Sequence, residues 1–308
     1  MSAARDLWVT ARPYLMFVSG AAALPGLALA DTSLARAVPA FAVLFASYGL
    51  GQALTDVFQT DTDALSAPER PLVQGTIERR TVLIASLGGL IACGAVLVAL
   101  SPAAAIPAAL SVGMLATYTP LKRRWWGGPP WNSAVVGLLP LLGRMAGGAG
   151  LGASLADSAV RAAMASSFAT YAVFVLLGYL KDVEADRATG YDTAAVRFGR
   201  HAAIAWSLAF LLPGLGASAW LIAPHLSASP AAALWALGAA LLVGAHALTW
   251  GSMSDEDAWP GIQASVHGFV ALHLGEAALI DPRLTWPAWL LFAASIAAML
   301  QRPARRQV

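Results

Sequence analysis

Apolar residues in this chain occur in long, continuous runs that are separated by short polar segments. Each run is close to the roughly 20 residues that a helix needs to cross the hydrocarbon core of a bilayer. Because the runs do not alternate with a period of two, they favour helices over the strands of a membrane barrel. The pattern predicts an all-α, polytopic transmembrane helical bundle of nine to ten spans. The ten candidate spans are residues 10–30, 36–55, 81–100, 104–119, 132–151, 159–180, 201–223, 229–250, 260–280 and 284–300.

The composition supports a membrane protein. Apolar residues make up 58% of the 308 residues and charged residues only 12%, whereas a soluble domain carries roughly 25% charged residues. No Pro/Ser-rich linker or low-complexity segment divides the chain, so we expect a single transmembrane domain over residues 1–308. The one cysteine, Cys93, lies inside an apolar run and is interpreted as a packing residue.

Basic residues are distributed unequally between the two sets of loops. With a cytoplasmic N-terminus, one side receives Arg5, Arg12, Arg70, Arg79, Arg80, Lys122, Arg123, Arg124, Lys181, Arg187, Arg197, Arg200, Arg302, Arg305 and Arg306. The other side receives only Arg36, Arg161 and Arg283. By the positive-inside rule, this asymmetry predicts ten spans with both termini in the cytoplasm. We expect a multi-pass protein of the cell inner (cytoplasmic) membrane.

Acidic residues are concentrated in two of the cytoplasmic loops. These residues are Asp56, Asp61, Asp63, Glu69, Glu78, Asp182, Glu184, Asp186 and Asp192. Orientation depends on Lys and Arg alone, so it does not explain clustered carboxylates. The cluster indicates chemistry or ion binding at the cytoplasmic face of the bundle. The formal net charge of +2 gives no indication of a nucleic-acid partner.

Three segments of the polar loops carry a resemblance to a known family. They are TDVFQTDTDALSAPERPLVQG at residues 55–75, YTPLKRR at residues 118–124 and YLKDVEADRATGYDTAAVRFG at residues 179–199. In this order, each at the cytoplasmic end of an even-numbered span, they resemble the motifs of the UbiA superfamily of intramembrane prenyltransferases. That family has a first motif Asn-x3-Asp-x3-Asp before a Pro-x-Arg-Pro segment, and a second motif Asp-x3-Asp-x3-Gly.

The resemblance implies a function and a set of site residues. It implies Mg²⁺-dependent transfer of an isoprenoid chain from a prenyl diphosphate to a small cyclic, aromatic or lipophilic acceptor in the membrane. The implied catalytic and metal-binding carboxylates are Asp63, Asp182 and Asp186, with Asp56 as a further metal candidate. The implied diphosphate-binding residues are Arg70, Tyr118 and Lys122, with Gln59 as a neutral candidate.

The first motif departs from the family pattern at two positions. Thr55 stands where the family has Asn, and Gln59 stands where it has the middle Asp. The motif therefore keeps one of its two carboxylates, which predicts weaker metal binding or one metal ion in place of two. The amide oxygen of Gln59 is still a candidate ligand, without charge.

Two ionisable residues other than histidine, Arg144 and Glu276, lie deep inside predicted spans. Charges at such depth are costly unless they are paired or face a cavity. We expect Arg144 and Glu276 to pair at the wall of the acceptor chamber, a purely structural pair being the alternative. His267 is a candidate acceptor for the proton that the acceptor loses, the alternative being a histidine that is hydrogen-bonded between helices.

A terpene cyclase and an ion-coupled transporter are the two alternatives to prenyl transfer. A UbiA-type terpene cyclase would use the same ionisation of a diphosphate, and an apolar chamber that Arg144 does not reach would favour it. An ion-coupled transporter should carry its ionisable groups near the midplane, often at interrupted helices. Here those groups are concentrated at one membrane face, which favours an enzyme.

Overall fold

The structure is a computed structural model, which describes residues 3–302, and this part of the chain is helical without strands. Arg305 and Arg306, which entered the prediction of orientation, lie outside the described residues. The first half contains α1 (Ala3–Thr10), α2 (Met16–Ala30), α3 (Leu34–Asp56), α4 (Thr60–Ser66), α5 (Pro71–Gln74), α6 (Arg79–Leu100), α7 (Ala105–Ala116), α8 (Tyr118–Lys122), α9 (Gly128–Gly137) and α10 (Leu139–Ala146). The second half contains α11 (Leu151–Ala156), α12 (Ser158–Gly178), α13 (Val183–Ala188), α14 (Ala194–Phe198), α15 (Arg200–Ile222), α16 (Pro230–Trp250), α17 (Trp259–Ile280) and α18 (Thr285–Leu300).

Each of the ten predicted spans coincides with one long helix or with a pair of consecutive helices. The fifth predicted span is divided, because α9 ends at Gly137 and α10 begins at Leu139, just before Pro140. Seven helical segments are long and apolar enough by themselves to cross a membrane. They are Ala3–Ala30, Leu34–Asp56, Arg79–Leu100, Ser158–Lys181, Arg200–His225, Pro230–Trp250 and Pro282–Leu300. The predicted transmembrane helical bundle is thereby confirmed.

The polar loops meet at one end of the bundle. α4, from the first aspartate-rich loop, packs against α13, from the second. The hydroxyl oxygens of Thr62 and Thr189 lie 3.0 Å apart across this contact. Arg123, which follows α8, donates a 2.6 Å hydrogen bond to Asp61. All three segments that carry the family resemblance are therefore neighbours in space.

Small residues allow the long helices to approach each other closely. A Cβ atom at Gly238 of α16 would lie 2.2 Å from the backbone nitrogen of Leu272 in α17. A Cβ atom at Gly26 of α2 would lie 1.9 Å from the carbonyl oxygen of Pro140 in α10. Such crossings tolerate only glycine, as in other membrane bundles whose helices associate through small residues. They fix the positions of the helices that carry the polar loops.

Candidate active site

A polar cavity of about 120 Å³ opens where the loops meet. Seven of the predicted site residues line it: Asp56, Gln59, Asp63, Arg70, Tyr118, Lys122 and Asp182. Arg12 and Lys181 also line it, although the sequence indicated them only as charges that orient the chain. The cavity therefore combines several cations with several carboxylates in a small volume at the end of the bundle.

The first aspartate-rich loop is held by two arginines. Arg12 forms an ion pair with Asp56 of α3, in which Nη2 lies 2.7 and 2.5 Å from the two carboxylate oxygens. Arg70 Nη1 lies 2.5 Å from Asp63 and 3.7 Å from Asp56. Pro71 begins α5 and restricts Arg70 to the extended backbone that it adopts, with φ −65° and ψ 140°. The guanidinium group thus faces both carboxylates.

Arg12 occupies its position at a conformational cost. Its φ of 47° and ψ of 65° are left-handed, although it precedes Pro13, which disfavours that conformation. Strained backbone of this kind costs about 1–3 kcal/mol and is concentrated at functional sites. Its side chain is buried and also donates a 2.6 Å hydrogen bond to Gln52. The strain is offset here by contacts to Asp56 and Gln52.

Lys122, at the end of α8, lies between the two aspartate-rich loops. Its ammonium group donates a 3.1 Å hydrogen bond to the side-chain oxygen of Gln59 and lies 3.7 Å from Asp186. The same group lies 5.1 Å from the ring centroid of Tyr191, within the range of a cation–π contact. Burial alone would lower the pKa of Lys122, but Asp186, Tyr118 and Asp182 hold it above its usual range. Lys122 therefore remains positively charged.

The two carboxylates of the second motif have different surroundings. Asp182 accepts a 2.8 Å hydrogen bond from Lys181. Asp186 is fully buried, and no donor within residues 3–302 makes a hydrogen bond of good geometry to either of its carboxylate oxygens. Burial raises the pKa of Asp186 to about 6 against the opposing charge of Lys122. Burial also acts on Asp182, but Lys181 and Lys122 outweigh it and lower that pKa.

These residues fit a hard cation. The two oxygens of Asp186 are buried without a donor of good geometry, which leaves their lone pairs available to a cation such as Mg²⁺. Within residues 3–302, no group of three or more His, Cys, Asp or Glu side chains is arranged to hold a metal. An ion held by Asp182 and Asp186 would complete its shell with phosphate oxygens and water, as Mg²⁺ commonly does.

A second, apolar cavity adjoins the polar one. It has a volume of about 420 Å³ and lies among α3, α6, α7, α9 and α10. The residues shared by the walls of both cavities are Tyr48, Gln52, Leu115, Asn132 and Tyr171. The phenol oxygens of Tyr48 and Tyr171 lie 3.0 Å apart at this junction. A molecule with a charged head and a hydrocarbon tail can thus occupy both cavities at once.

The predicted pairing of Arg144 with Glu276 is wrong. Arg144 donates to the backbone oxygen of Leu29 and lies 3.7 Å from Asp157, outside both cavities. Glu276 lies in the second half of the bundle, fully buried, and accepts hydrogen bonds from Ser166 and Ser218. Its other oxygen lies 2.7 Å from His273 Nδ1. Sequence position gave the depth of each charge in the membrane but not the helix face on which it lies.

His267 lies outside both cavities. Its ring packs edge-on against Phe292 of α18, with the centroids 6.3 Å apart. The structure therefore does not place it within reach of the carboxylates.

Comparison with known proteins agrees with the geometry. Residues 18–267 match the model of a family described as the UbiA prenyltransferase family. The chain belongs to the UbiA prenyltransferase family. It is an enzyme, a prenyltransferase, and not an ion-coupled transporter.

Curated relatives of this UbiA-family chain are archaeal. It is 30% identical over 237 residues to the digeranylgeranylglyceryl phosphate synthase of Natronomonas pharaonis, covering 75% of this chain and 82% of that one. It is 29% identical over 221 residues to the enzyme of the same name from Halobacterium salinarum, covering 71% of this chain and 78% of that one.

Solved structures of UbiA homologues share the fold. The apo homologue from Aeropyrum pernix superposes with a TM-score of 0.72 at 20% identity, covering 88% of this chain and 97% of that one. The homologue from Archaeoglobus fulgidus bound to GPP and Mg²⁺ superposes with a TM-score of 0.61 at 16% identity, covering 95% of this chain and 97% of that one.

Proposed function

We propose that this prenyltransferase moves an isoprenoid chain from a prenyl diphosphate to a small lipophilic acceptor and requires Mg²⁺. One observation carries the proposal: a cavity with cations and carboxylates adjoins an apolar cavity and shares five lining residues with it. The polar cavity suits a diphosphate and the apolar one suits its hydrocarbon chain. The UbiA homologue from Archaeoglobus fulgidus that is bound to GPP and Mg²⁺ supports the same assignment.

The diphosphate head would be held by the cations of the polar cavity. Arg70 offers a planar fork of donors, which suits two phosphate oxygens at once, whereas Lys122 acts as a point charge. Tyr118 lines the same cavity and offers a hydroxyl group. These donors are preorganised by Asp63, Gln59 and Tyr179, which lie 2.5, 3.1 and 3.2 Å from their polar atoms. Preorganised donors stabilise developing charge without reorganising during the reaction.

Bond cleavage would place charge where these donors lie. When the bond between C1 of the prenyl chain and the diphosphate oxygen breaks, its electron pair stays on that oxygen. Mg²⁺ bound by Asp182 and Asp186 would neutralise charge on the leaving group. An electron pair of the acceptor then forms the new bond to C1, and the acceptor loses a proton to water. Arg70, Lys122 and Tyr118 lower the barrier by stabilising the departing diphosphate.

The acceptor follows from the relatives rather than from the site. The archaeal relatives are named for a glyceryl phosphate that carries geranylgeranyl chains. We therefore infer a lipid alcohol as the first acceptor to test, with an aromatic acceptor second. The basic residues concentrated at the loop end of the bundle support a cytoplasmic active site in the inner membrane.

Diphosphate release from the purified, full-length protein tests this function. Geranyl, farnesyl and geranylgeranyl diphosphate are supplied with Mg²⁺, with and without geranylgeranylglyceryl phosphate, and then with an acceptor-rich lipid extract. We expect release that needs both the metal and an acceptor. Folded protein that releases no diphosphate from any donor contradicts the proposal.

Cyclisation is the second candidate, and one observation favours it. Arg144 does not reach the apolar cavity, so that cavity holds no charged group from the middle of a span. A cyclase would release diphosphate with Mg²⁺ alone, and its product would be a terpene without an added acceptor. The assay without acceptor therefore separates the two candidates, and mass spectrometry of the product distinguishes cyclisation from hydrolysis.

A further inference from the structure

We propose that the first aspartate-rich loop of this enzyme binds no metal ion, because Arg12, Arg70 and Lys122 occupy its oxygen ligands. The site would then hold one Mg²⁺, at Asp182 and Asp186. The proposal rests on the proposed function only for the identity of the ion and of the donor. It concerns how many ions bind and which carboxylates bind them.

Asp56 is the first residue of this loop whose carboxylate oxygens are already paired with a cation of the chain. Both of its carboxylate oxygens accept hydrogen bonds from Arg12, at 2.7 and 2.5 Å, and Arg70 lies 3.7 Å away. The pair is buried, and Arg12 is held there in spite of its left-handed backbone. A metal ion at Asp56 would leave a buried guanidinium group without its partner, which is strongly unfavourable.

Gln59 is the second residue of this loop whose side-chain oxygen is already paired with a cation of the chain. An amide has one oxygen that can bind a cation, and here it accepts the 3.1 Å hydrogen bond of the Lys122 ammonium. A carboxylate would have had a second oxygen and a full negative charge for an ion. The amide at this position removes both, while Lys122 adds a positive charge that repels a second ion.

Asp63 is the third residue of this loop that is paired with a cation of the chain. Its Oδ2 lies 2.5 Å from Arg70, and both side chains are buried in the cavity wall. Asp56, Gln59 and Asp63 therefore each have a cation of this chain close to at least one side-chain oxygen. Arg70 and Lys122 at the same time face the place where the diphosphate would bind, so they can supply the positive charge of a second ion.

The second loop differs at Asp186, although one oxygen of Asp182 accepts a 2.8 Å hydrogen bond from Lys181 of the same loop. Asp186 is buried, and neither of its oxygens has a hydrogen-bond donor of good geometry in the described chain. The nearest cation is Lys122 at 3.7 Å, which is already bonded to Gln59. The ligands still free for an ion thus belong to the second loop.

Manganese counts the ions directly, because Mn²⁺ replaces Mg²⁺ at oxygen ligands and is paramagnetic. Full-length protein in detergent is titrated with Mn²⁺ in the presence of geranyl S-thiolodiphosphate, a donor analogue that ionises slowly. Electron paramagnetic resonance then reports the number of ions and their coupling. We expect one Mn²⁺ per chain with an uncoupled six-line spectrum. Two ions per chain, or a spin-coupled pair, would overturn the proposal.

Variants assign the ion to a loop. Asp186→Asn should weaken Mn²⁺ binding by at least the roughly 10–100-fold that loss of an outer partner costs at a metal site. Asp63→Asn should leave one ion bound per chain, because the partner of Asp63 is Arg70 and not the ion. Asp61→Asn is the matched control, since Asp61 pairs with Arg123 outside the cavity. If Asp63→Asn loses the ion, the first loop binds metal and the proposal is wrong.

The outcomes separate this proposal from the proposed function. Wild-type protein that binds two ions and transfers a prenyl chain keeps the function and rejects the single-ion site. Wild-type protein that binds no Mn²⁺ with the analogue rejects both. The wild-type titration decides the number of ions even where a variant does not fold.

Discussion

Asp182 and Asp186 lie one helical turn apart but have different electrostatic roles. Lys181 donates to Asp182 at 2.8 Å, and this neighbour together with Lys122 lowers the pKa of Asp182 against the effect of burial. Asp186 is more isolated, and burial raises its pKa to about 6. Asp182 therefore loses its proton at a lower pH than Asp186.

Replacement of Asp182 by Ala should abolish turnover without unfolding the protein. The variant loses a carboxylate of the cavity wall, and we expect diphosphate release to fall by at least about 100-fold, as when one preorganised group is removed from an active site. Asp192→Ala is the control, because Asp192 pairs with Arg197 at the surface. Release is measured by phosphate detection after pyrophosphatase treatment, with gel filtration to show that both variants are folded. Unchanged release in Asp182→Ala removes this residue from the catalytic machinery.

The sequence predicted the cavity residues well but not their partners. Asp63, Arg70, Lys122 and Asp182 were found because motif spacing places them in the loops. Arg12 was not, because a single basic residue before a span has the same pattern as a charge that only orients the chain. The following Pro13 gives no signal either, because it favours extended backbone and not the left-handed conformation that Arg12 adopts.

At the level of helices, the predicted spans agree with the structure because continuous apolar runs leave little choice of secondary structure. α17 is a polar helix for a membrane span, since it contains His267, His273 and Glu276. It is nevertheless largely buried, because Ser166 of α12 and Ser218 of α15 satisfy Glu276. Small hydroxyl residues on neighbouring helices have no sequence signature that identifies their partner. That is why the pairing of Glu276 with Arg144 was predicted wrongly.

Gly238→Ala should destabilise the contact between α16 and α17. The new Cβ atom would lie 2.2 Å from the backbone nitrogen of Leu272, which cannot move without displacing α17. We expect the free energy of unfolding to fall by about 1–3 kcal/mol, as in other overpacked cores. Thermal unfolding in detergent measures the change.

Gly244→Ala provides the comparison on the same helix. No heavy atom lies within 4 Å of a Cβ atom at Gly244, so alanine should leave stability unchanged or raise it by about 0.5–1 kcal/mol. An equal loss of stability in both variants would falsify the close-crossing explanation, because it would indicate a general intolerance of α16 to alanine.

At the level of the whole molecule, two cavities of opposite character share one wall. Tyr48, Asn132 and Tyr171 belong to both linings, and the phenol oxygen of Tyr171 lies 3.0 Å from that of Tyr48 and 3.5 Å from Nδ2 of Asn132. This junction is the place where the charged and apolar parts of a donor would meet. The length of chain that the enzyme accepts then depends on residues of the apolar cavity, away from the charged groups.

Gly94→Leu should shorten the donor that the enzyme accepts. Gly94 lies on α6 in the wall of the apolar cavity, where a Cβ atom meets nothing closer than 4.0 Å and a longer side chain would extend into the cavity. We expect kcat/KM for geranylgeranyl diphosphate to fall at least about 10-fold relative to geranyl diphosphate. Gly88→Leu is the control, since Gly88 lies on the same helix outside the cavity. Equal losses with both donors would show that the tail does not occupy this cavity.

The apolar cavity also has a wall that faces the surrounding lipid. Ile91 belongs to the cavity lining, yet 67% of its surface is exposed. We predict that hydrocarbon tails dissolved around the protein enter through this wall, without passing the charged end. In purified preparations, the alkyl chains of the solubilising surfactant then compete with the prenyl chain of the substrate for this cavity. Apparent affinities will then follow surfactant concentration and tail length, so reconstitution in lipid nanodiscs is the condition under which different donors can be ranked.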